Sequence, residues 1–448
     1  MHKGTFSACP EGATAGSQAV LSESGAMPGT RVASNPWHPA MLVVLGLLTA
    51  SCSHAAQPQA APDAAWDAVF TRTEGWTGGD VAATVDLGDG RTLWLFGDSL
   101  IGRVEGGKHA AGTQMVNNAV AVHATPPAGS GRAPPADAVR FHWGQPAPDG
   151  KAAAWIIPDP ARVKAHGDES AEKGANGWYW PAGGGCVVPG QGGKDRLILF
   201  LWHIGRRAGD HGIWGFKNVG GAVAVVENFR EPVEKWRARQ SANPHVVTAD
   251  AAKADPVRRE TNWGSAARLE RSGESAGAGY LYIYGIREAG PLNKQLLVAR
   301  APAASIEPFD TWRFYTARGE WSPQAAEAAP IADGLTSELS VERLKTGGRD
   351  LLVMVQSEPV FGRRILVRTA PRPEGPWTRA APVYEVAGVA KNKTYFTYAA
   401  KGHAPLAREG ELLITYVINS HDFWAMLGDA QIYRPRFVRL PLSEMGSP

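Results

Sequence analysis

Two aspartates offer the most direct chemistry in this 448-residue chain. They stand in Gly78-Gly79-Asp80 and Phe96-Gly97-Asp98-Ser99, separated by an apolar stretch (81–87), Gly88-Asp89-Gly90 and a second apolar stretch (91–96). Asp-Gly between two such runs is a strong short-range signal for a β-hairpin. Residue 89 lies midway between 80 and 98, so the spacing predicts two carboxylates facing each other at the hairpin's open end. Directly opposed residues of an antiparallel pair have Cβ atoms ~4.5–5.5 Å apart. Carboxyls that close can act as acid and nucleophile, or acid and base, on a glycosidic bond. They cannot both ionise comfortably, so one keeps its proton, as a general acid requires. The plainer alternative is that Asp80 caps a turn and Asp98 bonds backbone at a sheet edge.

The elements that must hold this pair repeat along the chain. Apolar strands at 93–96, 197–202, 280–284, 351–355 and 412–418 each follow a glycine-containing turn, at 88–90, 190–195, 272–279, 347–350 and 408–410. Several lead into a further strand and then a tryptophan: 222–226 with Trp236, 296–300 with Trp312, and 365–368 with Trp377. A four-stranded unit cannot bury both faces alone, and five arranged radially make a propeller. The predicted fold is all-β, a five-bladed β-propeller over residues 67–448 with an irregular insert at about 125–176; a sandwich is the competing all-β architecture. The 52 glycines, 33 prolines and 16 tryptophans suit a turn-rich, aromatic-rich β-protein.

The blocks GWTGGD (75–80) and RTLWLFGDS (91–99) are followed in order by Asn117-Asn118-Ala119-Val120, Trp178-Tyr179-Trp180-Pro181 and Tyr398-Ala399-Ala400-Lys401-Gly402-His403-Ala404-Pro405. From about residue 74 to 442 the sequence thereby resembles a family of exported bacterial five-bladed propellers, long uncharacterised, that includes endo-D-arabinanases. It is similar in outline to the wider five-bladed arabinanases and fructosidases. The resemblance implies that Asp80 and Asp98 are the catalytic pair and that a furanosidic polymer such as arabinan is the substrate. The chain departs from the family pattern at Gly402, which separates Lys401 from His403, and in the 125–176 insert.

If equivalent strand ends gather at one axis, other side chains join the pair. Trp180 would lie near His203, Asn262 and Trp263 near Tyr284, Ser337 and Glu338 near Glu358, and Lys401 or His403 near Asn419. Glu338 is a candidate alternative acid or sugar ligand. His403 could orient a carboxylate or bind a hydroxyl, and Trp180 and Trp263 could be stacking platforms. Asn117 and Asn118 occupy the amide position that the family resemblance implies for substrate contact. Each also has an ordinary structural role open to it: solvated acid, satisfied core histidine, or tryptophan packed between sheets.

Other motifs lack their partners. Gly97-Asp98-Ser99-Leu100 spells an esterase signature, but the Asp-x-x-His that would complete its triad occurs nowhere in the sequence. The glycines of 183–193 lack the Gly-Lys-Ser/Thr of a phosphate loop, and His203 and His211 lack zinc spacing; no catalytic metal or cofactor is expected, and a calcium or sodium ion on the propeller axis is left open. With 46 Lys and Arg against 43 Asp and Glu, a net charge of +3 and no basic run, nucleic acid is not an expected partner. Residues 41–50 (MLVVLGLLTA) form a signal-like apolar core, with Arg31 and His38 as its basic flank should translation start at Met27. Thr49-Ala50-Ser51-Cys52 reads as an imperfect lipobox with lipidation at Cys52, the alternative being cleavage after Ala55. Residues 1–55 are thus read as an export segment and 56–66 as a linker, with the protein held at the cell envelope by a lipid or else secreted. Cys186 then has no disulfide partner. The whole reads as a monomeric glycoside hydrolase of an extracellular polysaccharide, with a non-catalytic carbohydrate-binding propeller as the alternative.

Overall fold

The computed structural model describes residues 59–163 and 176–444, apart from interruptions at 208, 210–211, 213–214, 256, 272–278, 291–292, 347–348 and 391. Residues 1–55, read above as an export segment, and Cys52 within them lie outside the described residues. All five predicted apolar strands form, each as the second strand of an antiparallel sheet. The first sheet runs Ala83–Asp86, Arg91–Phe96, Ala119–Ala124, Arg140–His142. The second runs Trp178–Pro189, Asp195–Arg206, Phe216–Val226, Ala238–Ala242. The third begins Thr261–Arg271, Gly279–Gly290, Asn293–Pro302, Arg313–Tyr315. The fourth is Leu339–Thr346, Arg349–Ser357, Arg364–Ala370, Ala381–Glu385. The fifth is Tyr395–Gly402, Glu411–Ser420, Pro435–Pro441, with Ala61–Pro62 as its outer strand.

Continuous apolar runs form these second strands because both of their faces are buried. Alternate side chains point to opposite sides of a strand, and here the two sides meet different neighbours. Leu93 and Leu95 pack with Leu197 and Leu199 of the second sheet, whereas Trp94 and Phe96 pack with Phe437 of the fifth. Ile198 and Phe200 meet Leu281 and Ile283 of the third sheet. Tyr284 meets Leu352 and Met354 of the fourth, and Val353 and Val355 meet Leu412 and Ile414 of the fifth. Each sheet therefore packs on the next, and the fifth returns to the first.

Four parts of the chain differ from the sequence reading. The hairpin strand starts at Ala83, not 81, because Val81 and Ala82 have φ of 63° and 46°, a region that β-branched residues rarely enter. The insert is not wholly irregular: it supplies Arg140–His142, the outer strand of the first sheet. The 56–66 linker contains Ala61–Pro62, which pairs with Arg439 and Val438. Helix Ala64–Val69 follows, capped by Asp63, whose carboxylate accepts from the N–H groups of Ala65 and Trp66 at 3.0 and 3.1 Å. A small further sheet, unforeseen in the hairpin pattern, pairs Glu74–Gly79 with Ser99–Glu105, which also pairs with Lys108–His109 and Gln114–Val116.

Candidate functional site

Asp80 and Asp98 occupy the junction between two sheets. Both chain segments leave the small sheet, at Gly79 and Ser99, and enter the first sheet beyond Ala82 and before Gly97. The first-sheet register, Ala83 opposite Leu95 and Thr84 opposite Trp94, extends to place residue 80 across from residue 98. Their backbones are joined: the Asp80 N–H donates to the Asp98 carbonyl at 3.3 Å, and the Gly97 N–H donates to the Asp80 carbonyl at 3.3 Å. Gly97 is required by contact, since a Cβ there would press on Asp80 Oδ1 and lie 2.9 Å from Val81 Cγ2.

Each half-buried carboxylate has its own donors. Asp80 Oδ2 accepts from the hydroxyls of Tyr398 at 2.7 Å and Tyr433 at 3.2 Å. Asp98 Oδ1 accepts from the Trp180 indole at 2.7 Å and the Asn117 amide at 3.1 Å. Burial, then the charges of Asp98 and Glu338, push the Asp80 carboxyl well above the usual range. Burial lifts Asp98 to about 6, against the pull of Trp180 and Asn117. The two carboxyls titrate as one coupled system.

Left-handed backbone is concentrated around Asp80. Val81 and Ala82 follow it, Tyr433 has φ 57°, and Ala399, next to Tyr398, has φ 56°. Such conformations are costly for residues other than glycine and collect at functional sites. Glu338 pairs with Lys401 Nζ at 2.6 Å; Lys401 is buried, its Cε within 3.1 Å of where a Cβ on Gly183 would sit. A cleft of about 390 Å³ adjoins the pair through Trp180 and is walled by Arg207, Glu260, Asn262, Lys294 and Ser337. Asn262 is fixed by Asn218, whose amide donates to its Oδ1 at 2.5 Å.

Other expected site residues lie elsewhere. His403 is buried between Thr84 and Thr415, at 2.7 and 2.8 Å from their hydroxyls, and packs on Trp94. Burial and the neighbouring Lys401 charge push its pKa down to about 3, so it is a neutral joint between the first and fifth sheets. Trp263 is buried against Trp312 and Phe314, its indole donating to the His245 carbonyl at 3.1 Å. Asn118 is wholly buried and serves the backbone of Ile156 and Tyr179. Trp180, by contrast, belongs to the site: its indole donates to Asp98, and its ring, edge-on to Phe216, lines the cleft.

The expected cross-strand partners also shift. Trp180 faces Trp202, Trp263 faces Gly285, and Lys401 faces Thr415, because bulges interrupt the first strands between Pro181 and Gly185, Trp263 and Ala266, and Tyr398 and Lys401. Glu358 is turned away and paired with Arg364. Sequence reasoning missed Tyr398 and Tyr433. The first stands in the quoted Tyr398–Pro405 block; nothing local marks the second. Ser99, the nucleophile of the esterase reading, is sealed, donating to the Gly97 carbonyl at 3.0 Å and accepting from the Trp76 indole at 3.2 Å. Burial raises the Cys186 thiol to about 11. Among the described residues no group of three or more His, Cys, Asp and Glu is arranged to hold a metal ion.

Residues 63–442 match the model of a family described as a domain of unknown function, DUF5005. The chain belongs to this family. None of the curated proteins matches it. Among solved structures, a proposed hydrolase from Bacteroides ovatus superposes with a TM-score of 0.59 at 20% identity, over 87% of this chain and 93% of that one. A GH62 hydrolase in complex with xylotriose gives 0.41 at 10% identity, over 85% and 95% of the two chains. The GH43_1 enzyme from Xanthomonas citri complexed with xylotriose gives 0.40 at 14%, over 86% and 90%. The first of these likenesses shows that the fold of this chain is one already seen in a solved structure.

Proposed function

We propose that this DUF5005 protein is a glycoside hydrolase in which Asp80 is the general acid and Asp98 the ionised partner, base or nucleophile. The observation that carries this reading is the backbone-linked, half-buried carboxyl pair, each member with two donors on one oxygen. A mere sugar-binding face needs no such pair, whereas glycosidic cleavage needs one carboxyl protonated and one ionised at the same pH. Burial raises both carboxyls, Asp98 to about 6 and Asp80 well above the usual carboxylate range, which supports retention of one proton by the pair near neutral pH.

The five sheets, each packed on the next and the fifth on the first, are read as the blades of a five-bladed propeller with the acids at its centre. The cleft beside Trp180 is the natural seat for one sugar. Its charges are opposed, Lys294 by Glu288 and Lys217 by Asp250, which suits a neutral sugar over an acidic one. An arabinofuranosyl polymer fits this and the sequence resemblance. Export, with lipidation at Cys52, is part of the same reading and rests on the 41–52 pattern.

The test is product release from neutral furanose and pyranose polysaccharides, comparing the chain from Gln57 onward with Asp80→Asn and Asp98→Asn. Cleavage lost by at least about 1,000-fold in both, with unchanged circular dichroism, is the expected result. Cleavage surviving in both removes the pair from the mechanism. Retention of a polymer without cleavage, alike in all three proteins, makes this a binding protein.

A further inference from the structure

A second surface near the acids has no task in that reading. The turn between Arg349–Ser357 and Arg364–Ala370 holds Val360 and Phe361 outward, 57% and 51% exposed, although both have left-handed backbone at φ 61° and 55°. Glu358 fixes the turn by accepting from the N–H groups of Arg363 and Arg364 and pairing with the Arg364 guanidinium. The strain is therefore supported by its surroundings, and it presents rather than hides an aromatic ring.

Phe361 is linked to the site by a continuous series of rings. It lies 4.6 Å from Phe396 and 5.4 Å from His421; Phe396 lies 5.6 Å from Tyr398, which donates to Asp80. Three residues beyond His421, in helix Phe423–Gly428, Trp424 is 71% exposed. Beside these rings Arg363 pairs with Glu385 at 3.1 Å, and Asp422 accepts from the Trp424 N–H at 3.0 Å. The cleft at Trp180 and Asn262 belongs to the second and third sheets.

We propose that Phe361 and Trp424 form an outlying stacking subsite for a sugar unit of the same polymer, some way along the chain from the cleaved bond. The inference rests on the glycosidase reading of the acids. Its chemistry is the apolar C–H face of a sugar ring laid on an aromatic plane, with hydroxyls at the edge meeting charged groups. Size favours this occupant. Two rings at ~150–250 Å² each fall short of the ~800 Å² per partner that a stable protein interface buries, but they match the face of one or two sugars.

The experiment measures binding and cleavage separately. Neutral arabino-, xylo- and galacto-oligosaccharides of two and six units are titrated calorimetrically into the Asp98→Asn protein, with and without Phe361→Ala or Trp424→Ala. Wild-type protein and the same ring variants are assayed for KM and kcat. The subsite predicts roughly two- to tenfold weaker binding and higher KM for six-unit ligands only, unchanged values for two-unit ligands, and restoration by Phe361→Tyr. Equal loss for short and long ligands, or no loss for either, overturns it. So does a change in oligomeric state on light scattering with the ring variants, which would make the patch an interface between copies. If wild-type protein cleaves nothing, the acid reading falls alone: length-dependent binding lost in Phe361→Ala still supports the subsite, and its absence overturns both.

Discussion

At the scale of single residues, the site sets function against stability. Asp98 has its pKa at about 6 in the folded protein, against an ordinary value of 3.8. The fold thus favours the protonated carboxyl. That favourable contribution is complete below about pH 4 and disappears as pH rises through about 6. Above that, an ionised Asp98 weakens the native state, by on the order of 1–2 kcal/mol once remaining contact with solvent is allowed for. Asp98→Asn should therefore raise the Tm at pH 8 and lose its advantage at pH 4, a comparison that thermal unfolding at the two pH values makes directly. The aspartates themselves were legible from spacing around Gly88-Asp89-Gly90, because hairpin register follows from turn position. Their hydroxyl donors were not: Tyr433 reaches Asp80 across 353 positions, and no local pattern encodes so distant a contact.

At the scale of elements, the recurring device is a break in the first strand of a sheet. Gly183 at φ 99°, Gly264 at φ 96° and Ala399 at φ 56° sit in the three bulges, and Val81 and Ala82 play the same part in the first sheet. Bulges re-aim side chains beside functional sites, and here one frees Lys401 to reach Glu338 while another turns Trp180 toward Asp98. The hairpins were readable because apolar runs and glycine turns alternate; the bulges were not, since Ala399 lies in an ordinary strand-like run. This is why the expected partners of Trp180, Trp263 and Lys401 were displaced. The tightest test of such positioning is Gly97→Ala. Its methyl would push against the Asp80 carboxyl and against Val81 at the edge of the core between the first and second sheets. Displacing a reacting group by ~1 Å can cost ~100-fold, so kcat/KM should fall by about that factor in steady-state assays while the circular dichroism spectrum is unchanged.

At the scale of the molecule, the two ends of the described chain lock together. Ala61–Pro62 completes the fifth sheet, Asp63 pairs with the buried Arg439, and Trp66 and Phe70 stack on Phe437 at 5.4 and 5.3 Å. The 56–66 linker gave no hint of a strand, because its pairing is dictated by the free edge of Pro435–Pro441. Burying two large aromatics is worth about 3–5 kcal/mol each by truncation, and their loss together approaches the whole ~5–15 kcal/mol stability of a typical domain. A chain beginning at Thr71 should therefore show no cooperative thermal transition, whereas one beginning at Gln57 should melt in one, as followed by circular dichroism. The same lock has a consequence for synthesis. Residues 61 and 439 emerge from the ribosome about 380 positions apart, which at ~5–20 residues per second separates them by tens of seconds to more than a minute. Through that interval the edge-to-edge partner of the first-made segment does not exist, so the fifth sheet closes only when the last strand has been made.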